Sequence, residues 1–168
     1  MITHIIGLVP RWFAAQPVDE TFFDLAPVRI SETFEVPFAA TRVWDELTGE
    51  TPLWWCKLLR SVTWTSPLPF GVGTTRTVRA IANASVLNEY FFRWEEGRRL
   101  SFYVLEANLP AFRRLAEDYL VEPTSATTCR FTWTIAVESH PLARLADPAN
   151  RLLLSTLFRD TRRHYGSR

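Results

Sequence analysis

Lysine is nearly absent from this chain: Lys57 is the only one among 168 residues, so almost all its positive charge is arginine. Cysteine is scarce too. Cys56 and Cys129 stand far apart with no CxxC spacing, which argues against a zinc site or a disulfide framework and for two reduced, packed thiols. No run of about 18 apolar residues occurs, so no membrane-spanning helix is expected. The apolar start, Met1 to Pro10, is short, lacks a basic flank and runs into Arg11 and Trp12, unlike a signal peptide. A net charge of +1 supplies no basic face, so nucleic acid is not an expected partner. Without secretion, the glycosylation match at Asn83-Ala84-Ser85 carries no weight.

What is present is apolar and aromatic. Hydrophobic residues make up 47% and charged residues 22%, a globular composition, and the length fits one domain that buries about 70% of its extended-chain surface. Seven Trp and twelve Phe then have to be placed somewhere. Neither repeats nor linkers divide the chain. Residues 1–26, broken by Pro10 and Pro17, read as an extension that Trp12-Phe13 and Phe22-Phe23 fold back onto the body; residues 27–168 form the domain proper.

From Val28 to Val36 the apolar residues Val28, Ile30, Phe34 and Val36 alternate with polar ones, the period of a half-buried strand, with Glu32 the exception on the apolar face. Thr41 to Leu47 reads as a short helix stopped by Gly49, and a second short helix is expected from Pro52, carrying Trp54 and Trp55. Strands follow over 61–66, 74–82, 86–94, 99–107, 113–122 and 127–138, the third and fourth joined by a turn containing Gly97. Asp147-Pro148 has the form of an N-cap followed by proline at the first helical position. It opens a helix to about Tyr165 whose apolar stripe includes Leu153, Leu157 and Phe158.

Splitting each strand by its period of two assigns an inner face. That face collects Tyr90, Phe92 and Trp94; Phe102, Val104 and Glu106; Glu117 and Tyr119; and Phe131 and Trp133. Two readings stay open. The rings either fill a solid core or line a pocket for an apolar ligand. Inward carboxylates at Glu32, Glu106 and Glu117 need water, a cation or a ligand donor nearby, which a partly wet cavity would supply; buried pairing with an arginine such as Arg76 is the competing account.

Val28-Arg29-Ile30-Ser31, Phe34-Glu35-Val36-Pro37 and Arg42-Val43-Trp44-Asp45-Glu46-Leu47 resemble the START/Bet v 1-like superfamily, in particular its polyketide cyclase/dehydrase branch. So do Gly71-Val72-Gly73-Thr74-Thr75-Arg76, Trp94 to Phe102, and Thr132-Trp133-Thr134 with the closing helix; together these cover roughly Pro27 to Tyr165. The resemblance implies an α+β helix-grip fold: a curved antiparallel sheet wrapped around a long C-terminal helix, with two short helices after the first strand. It also implies a grip around a hydrophobic molecule without naming one. On that reading Trp54 and Trp55 sit near the cavity mouth, and Leu153 and Leu157 cover it. The Gly71-Val72-Gly73 loop lacks a Gly-Lys-Ser/Thr ending and precedes a strand, so it is a turn and no phosphate cradle.

Three functions follow as expectations. The first is non-catalytic binding of a lipid, polyketide or aromatic metabolite. The second is a cyclase or dehydratase with Glu106 or Glu117 as general base and Tyr119 or Tyr90 as donor. The third is a regulatory or partner-binding module, for which Tyr103, Leu105 and Leu120 on the opposite face are the apolar candidates. No metal or cofactor is expected, His4, His140 and His164 are expected at the surface, and the protein is expected in the cytoplasm as a monomer or homodimer.

Overall fold

The computed structural model describes residues 11–166; the segment 1–10 with His4, and the terminal Arg168, lie outside the described residues. A short strand β1 (Phe13–Ala14) and a one-turn helix α1 (Phe22–Leu25) precede β2 (Val28–Val36) and helix α2 (Ala40–Thr48). A six-strand meander follows: β3 (Leu59–Trp64), β4 (Thr75–Ala80), β5 (Ser85–Glu95), β6 (Arg99–Ala107), β7 (Phe112–Pro123) and β8 (Cys129–Ser139). A 3-10 helix (Pro141–Ala146) then leads into α3 (Asp147–Gly166). The strands lie antiparallel in the order β2-β8-β7-β6-β5-β4-β3, so the first long strand closes back beside the last. This is the helix-grip arrangement, with α3 held against the concave face.

Local chemistry accounts for most element ends. A Cβ at Gly49 would lie 2.7 Å from the Asp45 carbonyl oxygen, so glycine lets the chain turn tightly off α2. Gly97 supplies the positive φ of the β5–β6 turn. Register follows alternation: Ile30 faces Ile135, Phe34 faces Phe131 and Val36 faces Cys129, which puts the apolar members of β2 and β8 on one side.

Three local expectations need correction. The segment from Pro52 is a run of hydrogen-bonded turns, because Leu53 takes φ 58°, which a right-handed helix excludes. Asp147 does not cap α3 from outside. Its backbone is already helical where the 3-10 helix runs straight into α3, and its carboxylate accepts a hydrogen bond from Ser139. The cap belongs to His140, whose Nδ1 accepts from the Leu142 amide.

The third correction concerns β5 and β6. Irregular pairing between Asn88 and Glu89 and between Phe91 and Arg93 changes which side chains face inward along these strands. Phe91 and Glu89 are buried under α3, with Trp94 packed on the same core. Tyr90 and Phe92 point to the opposite face. There they join Tyr103 and Leu105 against Phe22 and Phe23. Backbone bonds from Ala15 to Leu105 (2.8 Å) and from Gln16 to Arg113 (2.9 Å) hold this N-terminal strap along β6 and β7. The sheet thus has two covers, α3 on one side and the strap on the other.

Candidate functional site

Beneath α3 the inner face divides into a filled end and a hollow end. At the filled end Phe34, Trp44, Phe91, Trp94, Phe102 and Phe131 pack ring on ring, for example Phe91 against Phe102 at 4.9 Å and Trp44 against Trp94 at 5.8 Å. At the hollow end lies a cavity of about 150 Å³. Its walls are Leu59, Val78 and Ala80 from β3 and β4, Leu87 from β5, Leu115 and Val137 from β7 and β8, and Leu153, Leu154 and Leu157 from α3. Exposure falls from Ile81, 44% exposed, to Arg76, Tyr119 and Trp133, which are buried, so the former marks the mouth and the latter the deep end.

The deep end holds the charge. Arg76 Nε donates to Glu89 Oε2 at 2.5 Å with both side chains essentially out of solvent. The pair arises from strand register, since β4 and β5 set Arg76 directly opposite Glu89. The guanidinium also lies over the rings of Phe102 (4.3 Å) and Phe91 (5.0 Å). Burial is the strongest single influence and works against its charge, but Glu89, Tyr119 and Glu117 together outweigh burial and raise its pKa, so Arg76 stays cationic. Burial lifts the Glu89 carboxyl above its ordinary value, opposed by Arg76. One donor is left over: Arg76 Nη1 is buried and has no hydrogen-bond partner.

Glu117 lies beside this pair. Its Oε2 accepts from Tyr119 Oη (3.0 Å) and from Trp133 Nε1 (2.9 Å). Burial first, then the nearby Glu89 charge, push its pKa up to about 7, against the opposing pull of Arg76 and of the two hydrogen bonds. Tyr119 is raised well above its ordinary value by burial and by Glu117, and stays a neutral phenol. The site therefore offers a fixed cation, an orphaned donor and a carboxyl that exchanges its proton near neutrality, all behind apolar walls.

Of the residues expected at the site, Arg76, Glu117, Tyr119, Trp133, Leu153 and Leu157 line the cavity. Phe102, Val104 and Phe131 are buried in solid core, and Trp94 packs against that core; none lines the hollow. Tyr90 and Phe92 are on the strap side, as described. Glu106 is there too: β6 carries Leu105 as an extra residue opposite Asn88 and Glu89, so Glu106 meets Asn88 Nδ2 (2.8 Å) and faces away from the cavity. Glu32 forms an ion pair with Arg162 of α3. Trp54 is 66% exposed, and Trp55 is buried without lining the cavity, donating to Thr161 Oγ1 (3.0 Å). His164 is half-buried, unlike the expected surface position, stacked on Trp55 at 4.2 Å with Nε2 2.9 Å from Glu46 Oε2. Glu89 lies off the face that strict alternation assigns to β5, and a β4 that runs to residue 82 sets the β4–β5 turn too late to pair it with Arg76. With the turn over residues 81–84, Arg76 and Glu89 face each other by counting alone.

A family model described as polyketide cyclase / dehydrase and lipid transport matches residues 27–163. The chain belongs to that family. Uncharacterized proteins of Mycobacterium tuberculosis and Mycobacterium bovis are each 31% identical over 162 residues, 93% of this chain and 95% of theirs. Among solved structures, a START superfamily protein from Mycobacterium smegmatis superposes with TM-score 0.63 at 14% identity, covering 82% of this chain and 97% of that one. A Streptomyces aromatase/cyclase gives 0.58 at 15% identity over 81% and 94%. Major latex-like protein 151 from Panax ginseng gives 0.56 at 18% identity over 82% and 97%. These likenesses establish the helix-grip fold. No helix among the described residues is long and apolar enough to cross a membrane.

Proposed function

We propose that this family member binds a small, mostly apolar molecule carrying one hydrogen-bond acceptor, with the acceptor set against Arg76 Nη1. The observation that carries the reading is a buried donor without a partner at the deep end of an otherwise apolar cavity. Leaving such a donor unsatisfied is costly, and an incoming oxygen would remove that cost. A cavity near 150 Å³ admits a benzene-sized body, below the roughly 300–1,000 Å³ of drug-sized sites. The fit is a single ring or short chain; anything longer must extend through the mouth. The family's description, which includes lipid transport, agrees with this ligand class.

A second reading, cyclase or dehydratase chemistry, is favoured by Glu117 alone. A carboxyl whose pKa is pushed up to about 7 can take and return a proton near neutral pH, and Arg76 Nη1 could steady the oxyanion formed. Of the three residues behind the regulatory reading, Tyr103 and Leu105 are packed against the strap of the same chain, which leaves the half-buried Leu120 as its apolar candidate.

The test is a calorimetric comparison of acetophenone, a ring with one carbonyl, and ethylbenzene, which lacks it. Acetophenone should bind the tighter, and Arg76→Met/Glu89→Leu, which removes the charged pair together, should abolish the difference. Equal affinity for both compounds in the native chain would reject the role of Arg76, and binding of neither would reject the cavity. Turnover of an enolisable ketone that Glu117→Gln abolishes without loss of binding would establish the second reading.

A further inference from the structure

The deep end of the cavity carries a second polar atom, which a ligand with an acceptor alone leaves unused. Glu117 lines the hollow, yet only one of its two carboxylate oxygens is engaged. Oε2 takes both hydrogen bonds, from Tyr119 Oη and Trp133 Nε1, and Oε1 takes none among the described residues. Nor is Oε1 sealed off. Among the described residues, the buried side-chain polar atoms without a partner are Arg76 Nη1 and Asp160 Oδ1. In a side chain only 9% exposed, Oε1 is therefore the oxygen open to the hollow. Asp160 is no part of this site: its Oδ2 accepts from the Lys57 amide (2.9 Å), and it does not line the cavity.

A free donor and a free acceptor thus share the deep end, and Arg76 and Glu117 lie close enough for each to shift the other's ionisation. The engaged oxygen also decides where a proton goes. Two donors already occupy Oε2, so Glu117 takes its proton on Oε1. Ionised, Oε1 offers the ligand an acceptor; protonated, it offers an O–H. The charged and titratable groups around it are Arg76 on β4, Glu89 on β5, Tyr119 on its own strand and Cys56 from the turns after α2. No other element lining the cavity adds one among the described residues. These surroundings rank the possible head groups. A ketone or ester satisfies Arg76 Nη1 but leaves the ionised Oε1 without a donor. A carboxylate adds a third negative charge beside Glu89 and Glu117, against a single arginine. A carboxamide serves both atoms and brings no charge.

We propose that Glu117 Oε1 selects the head group of the ligand: the cavity takes a small apolar body ending in a primary carboxamide, its carbonyl oxygen on Arg76 Nη1 and its N–H on Glu117 Oε1. The inference rests on the acceptor role given to Arg76 above and adds the donor that the ligand must also carry. It makes Glu117 a specificity-determining residue, and it makes the preference depend on which form of Oε1 faces the ligand.

Calorimetric titration of the full chain with benzamide and acetophenone tests this, because the two differ by an amino for a methyl group and neither ionises near neutral pH. At about pH 8.5, benzamide should bind about tenfold more tightly, since its N–H meets a carboxylate. At about pH 6, where Oε1 carries the proton, that advantage should disappear. Glu117→Gln keeps the shape: its amide oxygen takes over the bonds from Tyr119 and Trp133 and turns the amino group to the hollow, so this variant should prefer acetophenone at both pH values. Acetophenone matching or exceeding benzamide on the native chain at about pH 8.5 overturns the proposal, as does a benzamide advantage that is the same at about pH 6. Where circular dichroism shows that Glu117→Gln has not folded, the pH comparison on the native chain decides alone. Ethylbenzene is titrated alongside at about pH 6, where acetophenone over ethylbenzene reads Arg76, so the acceptor role can stand while the selection by Glu117 falls. Binding of none of the three rejects both.

Discussion

Arg76 and Glu89 illustrate how a buried ion pair is held. Neither charge has water, so each depends on the other, and removing one strands its partner. Arg76→Met alone should cost about 3–5 kcal/mol in denaturant unfolding, whereas Arg76→Met/Glu89→Leu should recover most of that loss. Comparable destabilisation in the double variant would mean that the pair contributes more than mutual neutralisation. Glu117 has a different signature. Its folded pKa, about 7, lies above its ordinary 4.5, so between those values the folded state holds a proton that the unfolded chain has lost. Its contribution to stability is fully present below pH 4.5, declines as pH rises and is gone above 7. The Glu117→Gln variant should lack that decline, and the difference between its pH–stability curve and the native one isolates the carboxyl. The thiols are inert by comparison: burial first pushes Cys56 up to about 12, and Cys129 is raised for the same reason.

At the scale of elements, the strap and α3 act as two clamps on one sheet. Phe22 is 3% exposed and seals Tyr103, Ala116 and Ala136 on the side away from α3. Phe22→Ala should lower unfolding stability by about 3 kcal/mol and raise binding of a hydrophobic dye to the uncovered patch. Unchanged dye fluorescence would mean that the strap closes over the gap. Elements were also where the sequence was most and least informative. The alternation of Val28 to Val36 and the spacing of Leu153, Leu157 and Phe158 set one element apiece, because a single buried face dictates each pattern. The two irregularities of β5 and β6 left no such trace. Strictly periodic counting therefore carried Tyr90, Phe92 and Glu106 to the wrong face and passed over Glu89. Leu53, an unremarkable leucine in sequence, broke a helix through its backbone angle alone.

Taken whole, the molecule is asymmetric. Aromatic packing fills the end of the grip near α2, and the opposite end is left hollow with its charge at the bottom. That division was legible only in part. The number of rings announced a crowded interior, but which of them would touch each other and which would face open space depends on strand curvature, which no spacing of residues records. Alternation along the strands leads to Glu117, Tyr119 and Trp133, and the helical stripe to Leu153 and Leu157, whereas the other wall leucines, such as Leu59 and Leu87, are the same residues any core would use.

The strap has a practical corollary for anyone cutting this protein to size. The family match begins at residue 27, after Phe22 and Phe23. A chain started at that boundary would keep every strand of the grip and all cavity-lining residues, yet would bare Tyr90, Phe92, Tyr103 and Leu105 along the back of the sheet. Such a fragment should self-associate at concentrations where the longer chain stays dispersed, through a surface that has nothing to do with its ligand.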